Sequence, residues 1–124
     1  MDYPPSVMDE TCAARQVLDL IADKWTVLIV YALSSETRRY NELKRMIGGV
    51  TNKMLTQTLR RLEARGILHR EVYPEIPPRV EYSLTPLGKS LAELVYGLIE
   101  WSELNLCGLK SEHEVVRIEE MAEA

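Results

Sequence analysis

Three features of the chain predict a mainly α fold with a small β-hairpin. A short amphipathic segment at 40–47 is followed by Gly48-Gly49 and then by a longer amphipathic segment at 51–66. That longer segment carries both a start signal, Thr51, and a stop signal, Gly66. Directly after it, alternating segments at 68–73 and 80–84 flank the proline-rich stretch 74–78. A short helix, a glycine turn, a longer helix with a polar outer face and then a hairpin make a winged helix-turn-helix, here with flanking helices on both sides that are expected to dimerise.

The composition bounds this reading. At 124 residues and 46% hydrophobic, the chain is long enough for one core and too short for two. We read residues 1–11 as a flexible arm, 12–109 as the domain and 110–124 as an acidic tail. Net charge is −4, which by itself argues against a polyanionic partner. The distribution reverses that impression: residues 38–79 hold ten Lys or Arg against four Glu, a balance of +6, and the remainder holds five against fifteen. A basic middle between acidic ends suits one face that meets nucleic acid. Two cysteines, Cys12 and Cys107, without a signal peptide point to a reducing cytoplasm. The longest apolar run, within 27–33, is far short of a membrane span, so the chain is expected to be soluble.

The elements follow in order. A first helix is expected at about 13–22, with Val17, Leu18 and Ile21 on one face. Asp23 caps a second at 24–33, whose inward positions are Trp25, Leu28, Ile29, Ala32 and Leu33. Residues 34–39 read as a polar loop, and 40–47 as a short helix with Leu43, Met46 and Ile47 on one side. In the long segment, Met54, Leu55, Thr58, Leu59 and Leu62 recur at three- and four-residue steps and form the apolar stripe. The hairpin's prolines stiffen a tip that projects into solvent. Thr85-Pro86, an N-cap with proline at the first helical position, opens a last helix that runs to about 106. Its stripe of Leu87, Leu91, Leu94, Val95, Leu98, Ile99 and Leu106 is longer than one small core needs.

The outer face of the helix at 51–66 is the candidate for the function, and it also fits an ordinary solvated face. Asn52, Lys53, Thr56, Gln57, Arg60 and Arg61 place amide, hydroxyl and cationic groups there with no carboxylate before Glu63. These are the groups that pair with base edges and phosphates in a major groove. Asn52, Lys53, Thr56, Gln57 and Arg60 are therefore the candidates for base contact, and Arg38, Arg39, Lys44 and Arg61 for the DNA backbone. Arg79, at the wing, is placed to reach the minor groove, although the neighbouring Glu75 would be repelled there.

The segments DKWTVLIVYAL (23–33), RRYNELKRMIGGVTNKMLTQTLRRLEARGIL (38–68) and VYPEIPPRVEYSLTPLGKSL (72–91), with Cys12, closely resemble the HxlR-type winged helix-turn-helix regulators. The match covers nearly all of 12–101. It implies a homodimer on pseudo-palindromic promoter DNA that controls nearby genes, often genes that handle oxidants or reactive electrophiles. By the same resemblance Cys12 lies near the dimer interface and is a candidate redox sensor. The family often places proline after that cysteine; here Ala13 follows it. Cys12 otherwise reads as a small buried residue. Leu94, Leu98 and Trp101 are the expected dimer contact, and the same residues also fit an intrachain core.

Other functions find little support. His69 and His113 are the only histidines, and no metal-ligand spacing, phosphate loop or nucleophile signature occurs, so neither an enzyme nor a cofactor is expected. The alternative is a winged helix used only for protein contacts. Operator, effector and the sign of regulation are not written in the sequence.

Overall fold

Capping side chains set the frame. In the computed structural model, which describes residues 6–106, the elements are α1 (Ala13–Ile21), α2 (Lys24–Leu33), β1 (Arg38–Arg39), α3 (Tyr40–Met46), α4 (Asn52–Ala64), β2 (Leu68–Tyr73), β3 (Arg79–Leu84) and α5 (Pro86–Asn105). The first five residues of the expected arm, Cys107, His113 and the acidic tail lie outside the described residues. The chain divides into two units, Met1–Ala92 and Glu93–Ala124.

In the first unit, Asp23 accepts a hydrogen bond from the Trp25 amide at 2.8 Å and so starts α2. Thr51 does the same for α4 through the Met54 amide at 3.1 Å, and Thr85 for α5 through the Gly88 amide at 3.0 Å. Helix α4 ends in a paired turn: Gly66 N–H donates to Glu63 O and Ile67 N–H to Leu62 O, each at 3.0 Å. Gly66 takes φ +74° there, a conformation open to glycine and strained for other residues. Leu62 and Ile67, which flank the turn, are both buried.

The core of this unit forms where α2, α3, α4 and the sheet meet. Ile29, Val30 and Leu33 of α2, Leu43 of α3, and Leu55, Leu59 and Leu62 of α4 are buried, with Leu68 and Leu84 from the strands. Trp25 is half-buried, its ring beside Gly49, which turns the chain between α3 and α4 at φ +83°. The sheet has the order β1-β3-β2. Its hairpin pairs Leu68 with Leu84 through to Tyr73 with Arg79.

Several expectations are refined. The polar loop at 34–39 contains β1, whose Arg38 and Arg39 pair with Tyr82 and Glu81, so the hairpin is part of a three-stranded sheet. Two residues are too few to show alternation. In α1 the buried residue is Leu20, whereas Val17 and Leu18 are exposed; a helical period fixes a stripe but not which edge of it meets α2. Met46, expected with Leu43 and Ile47, is likewise exposed. Residues 6–11 form turns in which Thr11 donates its amide and its hydroxyl to Asp9 Oδ1. Those two bonds hold the Asp9 carboxyl below its ordinary value.

In the described part of the second unit, α5 buries Val95 and exposes Leu94, Leu98, Trp101 and Leu104. The single stripe read from the sequence is therefore two adjacent ones, since 94, 98 and 101 follow helical steps of their own.

Back in the first unit, a Cβ on Gly88 would lie 2.0 Å from the Ile67 carbonyl oxygen, so only glycine fits there. Gly88→Ala is expected to destabilise the protein by about 1–3 kcal/mol, as other overpacked substitutions do. A fall in the urea midpoint at fixed protein concentration, with unchanged slope, is the measurement.

Candidate nucleic-acid interface

Helix α4 is fixed at its start by Thr51, at its end by the Gly66 turn, and along its inner side by Leu55, Thr58, Leu59 and Leu62. The buried Thr58 hydroxyl is satisfied by donating to Met54 O at 2.7 Å. What remains outward is the polar side: Asn52, Lys53, Gln57 and Arg60 are exposed and Thr56 is half-buried. Asn52, Thr56 and Arg60 form one row at i, i+4 steps, with Lys53 and Gln57 on the next. Among the described residues, no hydrogen bond or ion pair engages the side chains of Lys53, Gln57 or Arg60, so these groups are available to an outside partner.

The cations expected at the DNA backbone divide into two groups. Arg38 is held inside the fold: its side chain is 18% exposed, Nη1 lies 2.7 Å from Glu36, and Nε donates to Ala32 O at 3.3 Å. Arg61 pairs with Asp23 Oδ2 at 3.3 Å, so the carboxylate that caps α2 through its other oxygen also reaches α4. Arg79 stacks over Tyr73 at 3.9 Å and lies 3.3 Å from Glu75 and 3.8 Å from Glu81. Arg39 is exposed and Lys44 half-buried, and neither enters an ion pair among the described residues.

Between α4 and the sheet lies a cleft of about 370 Å³, with Thr56, Leu59, Arg60 and Glu63 on one wall and Arg70 and Tyr82 on the other. Tyr40, which opens α3, closes one side. Its hydroxyl lies 3.2 Å from both the carbonyl oxygen and Oδ1 of Asn52, and 3.3 Å from Thr56 Oγ1. Sequence reading missed Tyr40 and Arg70 as members of this site. Periodicity places Tyr40 on a helix but cannot show which atoms its hydroxyl meets across a turn.

The other expected sites lie apart from this face. Cys12 is the N-cap residue of α1 and is 6% exposed. Arg15, the cation nearest it in sequence, donates from Nη1 to Met8 O at 3.0 Å. In the second unit, Leu94 is 73% exposed, Leu98 54% and Trp101 59%. No helix among the described residues is long and apolar enough to cross a membrane.

A helix-turn-helix whose second helix presents a polar, carboxylate-free side next to a three-stranded wing defines a winged-helix DNA-binding protein. Residues 20–108 match the model of the family described as HxlR-like helix-turn-helix, and the chain belongs to that family of transcriptional regulators. It is 52% identical over 97 residues to the HTH-type transcriptional regulator YtfH of Escherichia coli (strain K12), spanning 78% of this chain and 77% of that protein. Among solved structures, YtfH of Salmonella typhimurium, described as a transcriptional regulator, superposes with a TM-score of 0.77 at 45% identity, over 88% of this chain and 97% of that one. The redox regulator HypR in its oxidized form gives 0.71 at 45% identity, over 76% and 97%.

The division among the cations has a measurable consequence. Arg38→Ala should lower stability by about 1–3 kcal/mol, because it leaves the Ala32 carbonyl unpaired at a largely enclosed position. Arg39→Ala should leave the unfolding free energy within about 0.5 kcal/mol while reducing the slope of log Kobs against log salt by about 1. Urea unfolding and salt titrations of both variants check the two roles.

Proposed function

We propose that this chain works in the cytoplasm as a homodimeric, sequence-specific regulator that binds an inverted-repeat operator in double-stranded promoter DNA. The observation that carries the reading is the outward side of α4, where Asn52, Lys53, Gln57 and Arg60 stand exposed with Thr56 beside them and no carboxylate intervenes. Asn52, Lys53, Thr56, Gln57 and Arg60 read bases; Arg39 and Lys44 hold phosphates. Arg38, Arg61 and Arg79 serve the fold first, and Arg61 and Arg79 keep enough exposure to turn toward the backbone. A module that bound only proteins would have no need of a row this free of acidic groups.

Two half-sites lie about one helical turn apart, or a multiple of it, as a two-fold dimer of this motif requires. Exposed Leu94, Leu98 and Trp101 support that dimer, since isolated chains seldom leave large apolar side chains clustered in water. Sequencing the fragments that the protein retains from its own genome would supply the operator. On it, Arg60→Ala should cost about 1–3 kcal/mol while random duplex is bound nearly as before. Equal losses on both would make Arg60 a phosphate contact, and a wild-type protein that retains no fragment above random duplex would favour the protein-contact module.

A redox-responsive mode through Cys12 completes the proposal, supported by the likeness to HypR and by the thiol's place at the start of α1. At 6% exposure the thiol must be uncovered before it reacts, so oxidation would be coupled to movement of α1. Diamide should change the operator affinity or the sedimentation of the wild-type dimer and leave Cys12→Ser unaffected. An equal response in both, or a modified wild type with unchanged behaviour, would leave Cys12 a packing residue.

A further inference from the structure

We propose that the Tyr40 hydroxyl is a positioning group that sets the sequence preference of α4, by fixing which atoms of Asn52 and Thr56 face the groove. This rests on the reading of α4 as the recognition helix. Tyr40 does not belong to α4; it is the first residue of α3 and reaches across the turn to the first rungs of the next helix. There its hydroxyl meets Asn52 O and Asn52 Oδ1 at 3.2 Å and Thr56 Oγ1 at 3.3 Å.

The proton inventory of these groups favours one arrangement. A phenol has one proton to donate, and both Asn52 oxygens can only accept, so that proton goes to them. The contact with Thr56 is then completed by the threonine hydroxyl, which donates to the Tyr40 oxygen. Two consequences follow. With Oδ1 turned to Tyr40, the Asn52 amide presents its NH2 outward, a donor suited to guanine O6 or N7, adenine N7 or thymine O4. Thr56, its proton already used, presents lone pairs, suited to the amino group of adenine or cytosine. One residue outside the recognition helix thereby imposes a donor at position 52 and an acceptor at position 56. Without the hydroxyl, the amide can rotate by half a turn and the threonine can spin, so both positions lose their assigned polarity.

The ring does not need its hydroxyl to pack, which makes Tyr40→Phe a clean test. Tyr40→Phe and wild type are compared on the genome-derived operator and on random duplex of equal length at one salt concentration. We expect operator affinity to fall about fivefold, the scale of one net hydrogen bond, with random-duplex affinity and the urea midpoint unchanged. Selection from randomised duplexes should flatten at the base positions that Asn52→Ala and Thr56→Ala also flatten. In a background carrying both of those alanines, Tyr40→Phe should have no further effect. Equal losses on operator and random duplex, an unchanged operator preference, or a further fivefold loss in the alanine background would each overturn the proposal. A wild type that prefers no sequence overturns the DNA reading along with it, whereas a discriminating wild type matched by Tyr40→Phe overturns this inference alone.

Discussion

The carbonyl of Ile67 fixes how the recognition helix, the wing and the start of α5 are joined. It accepts from Thr85 N at 3.1 Å and from Thr85 Oγ1 at 3.0 Å, and the same hydroxyl reaches Gly66 O at 2.5 Å. The first turn of α5 comes so close to that carbonyl that Gly88 leaves no room for a Cβ. Because β2 starts at Leu68, paired with Leu84, the exit from α4 and the end of β3 are held by one knot of backbone polar groups. A single side chain, Thr85, thus caps α5 through Gly88 and anchors the turn that ends α4. The wing cannot tilt relative to the helix without breaking this set of part-buried and exposed hydrogen bonds, each of which contributes about 0.5–1.5 kcal/mol net. A surface that is already ordered loses less entropy on docking, and this favours tight recognition by a small number of side chains.

Charge is used in two ways on this scaffold. The local balance of +6 in residues 38–79 overstates what a polyanion would meet, because Arg38, Arg61 and Arg79 are each engaged by a carboxylate of the chain. The pairs differ in kind. Arg38 is enclosed and also serves a backbone carbonyl, so releasing it would disturb the end of α2. Glu75 is open to water and Arg79 is half-buried, and a pair with one partner exposed contributes roughly 0–1 kcal/mol.

The sequence was most legible where local chemistry decides the structure. Asp23, Thr51 and Thr85-Pro86 start helices, and Gly66 ends one, because capping depends on atoms within a few residues. The outer side of α4 was legible for the same reason, since its boundaries and period place every polar residue. Features that depend on distant partners were not legible. Strand β1 exists because Arg38 and Arg39 find Tyr82 and Glu81 more than forty positions away, and two arginines give no sign of it. The exposure of Val17 and Leu18 depends on how α1 meets α2, and the exclusion at Gly88 on a carbonyl from another element. Tyr40 belongs to this second group: its neighbours in space, Asn52 and Thr56, lie twelve and sixteen residues further on. The outward side of α4 was therefore predictable in composition but not in the contacts that its residues make across the turn.

Energetics connect that face to the apolar residues that each unit leaves uncovered. A good bidentate contact discriminates against the wrong base by about 1–3 kcal/mol. Recognition in a genome needs roughly 4–10 kcal/mol of preference over random sequence. One α4 displays five candidate side chains, of which Thr56 is half-buried, and some of their contacts must go to phosphates, which add affinity without preference. A single helix therefore falls at the low end of the requirement, and a second copy on a repeated half-site doubles it. That doubling is effective only if the two helices are held at a fixed separation, because a loose link would let each copy bind without its partner. On the proposed dimer, exposed Leu94, Leu98 and Trp101 of α5 would hold it, with burial stabilising the contact by about 25 cal/mol for each Å² removed from water. In that dimer the exposed apolar side chains and the carboxylate-free helix would act together, since the first would set the spacing at which two copies of the second meet DNA.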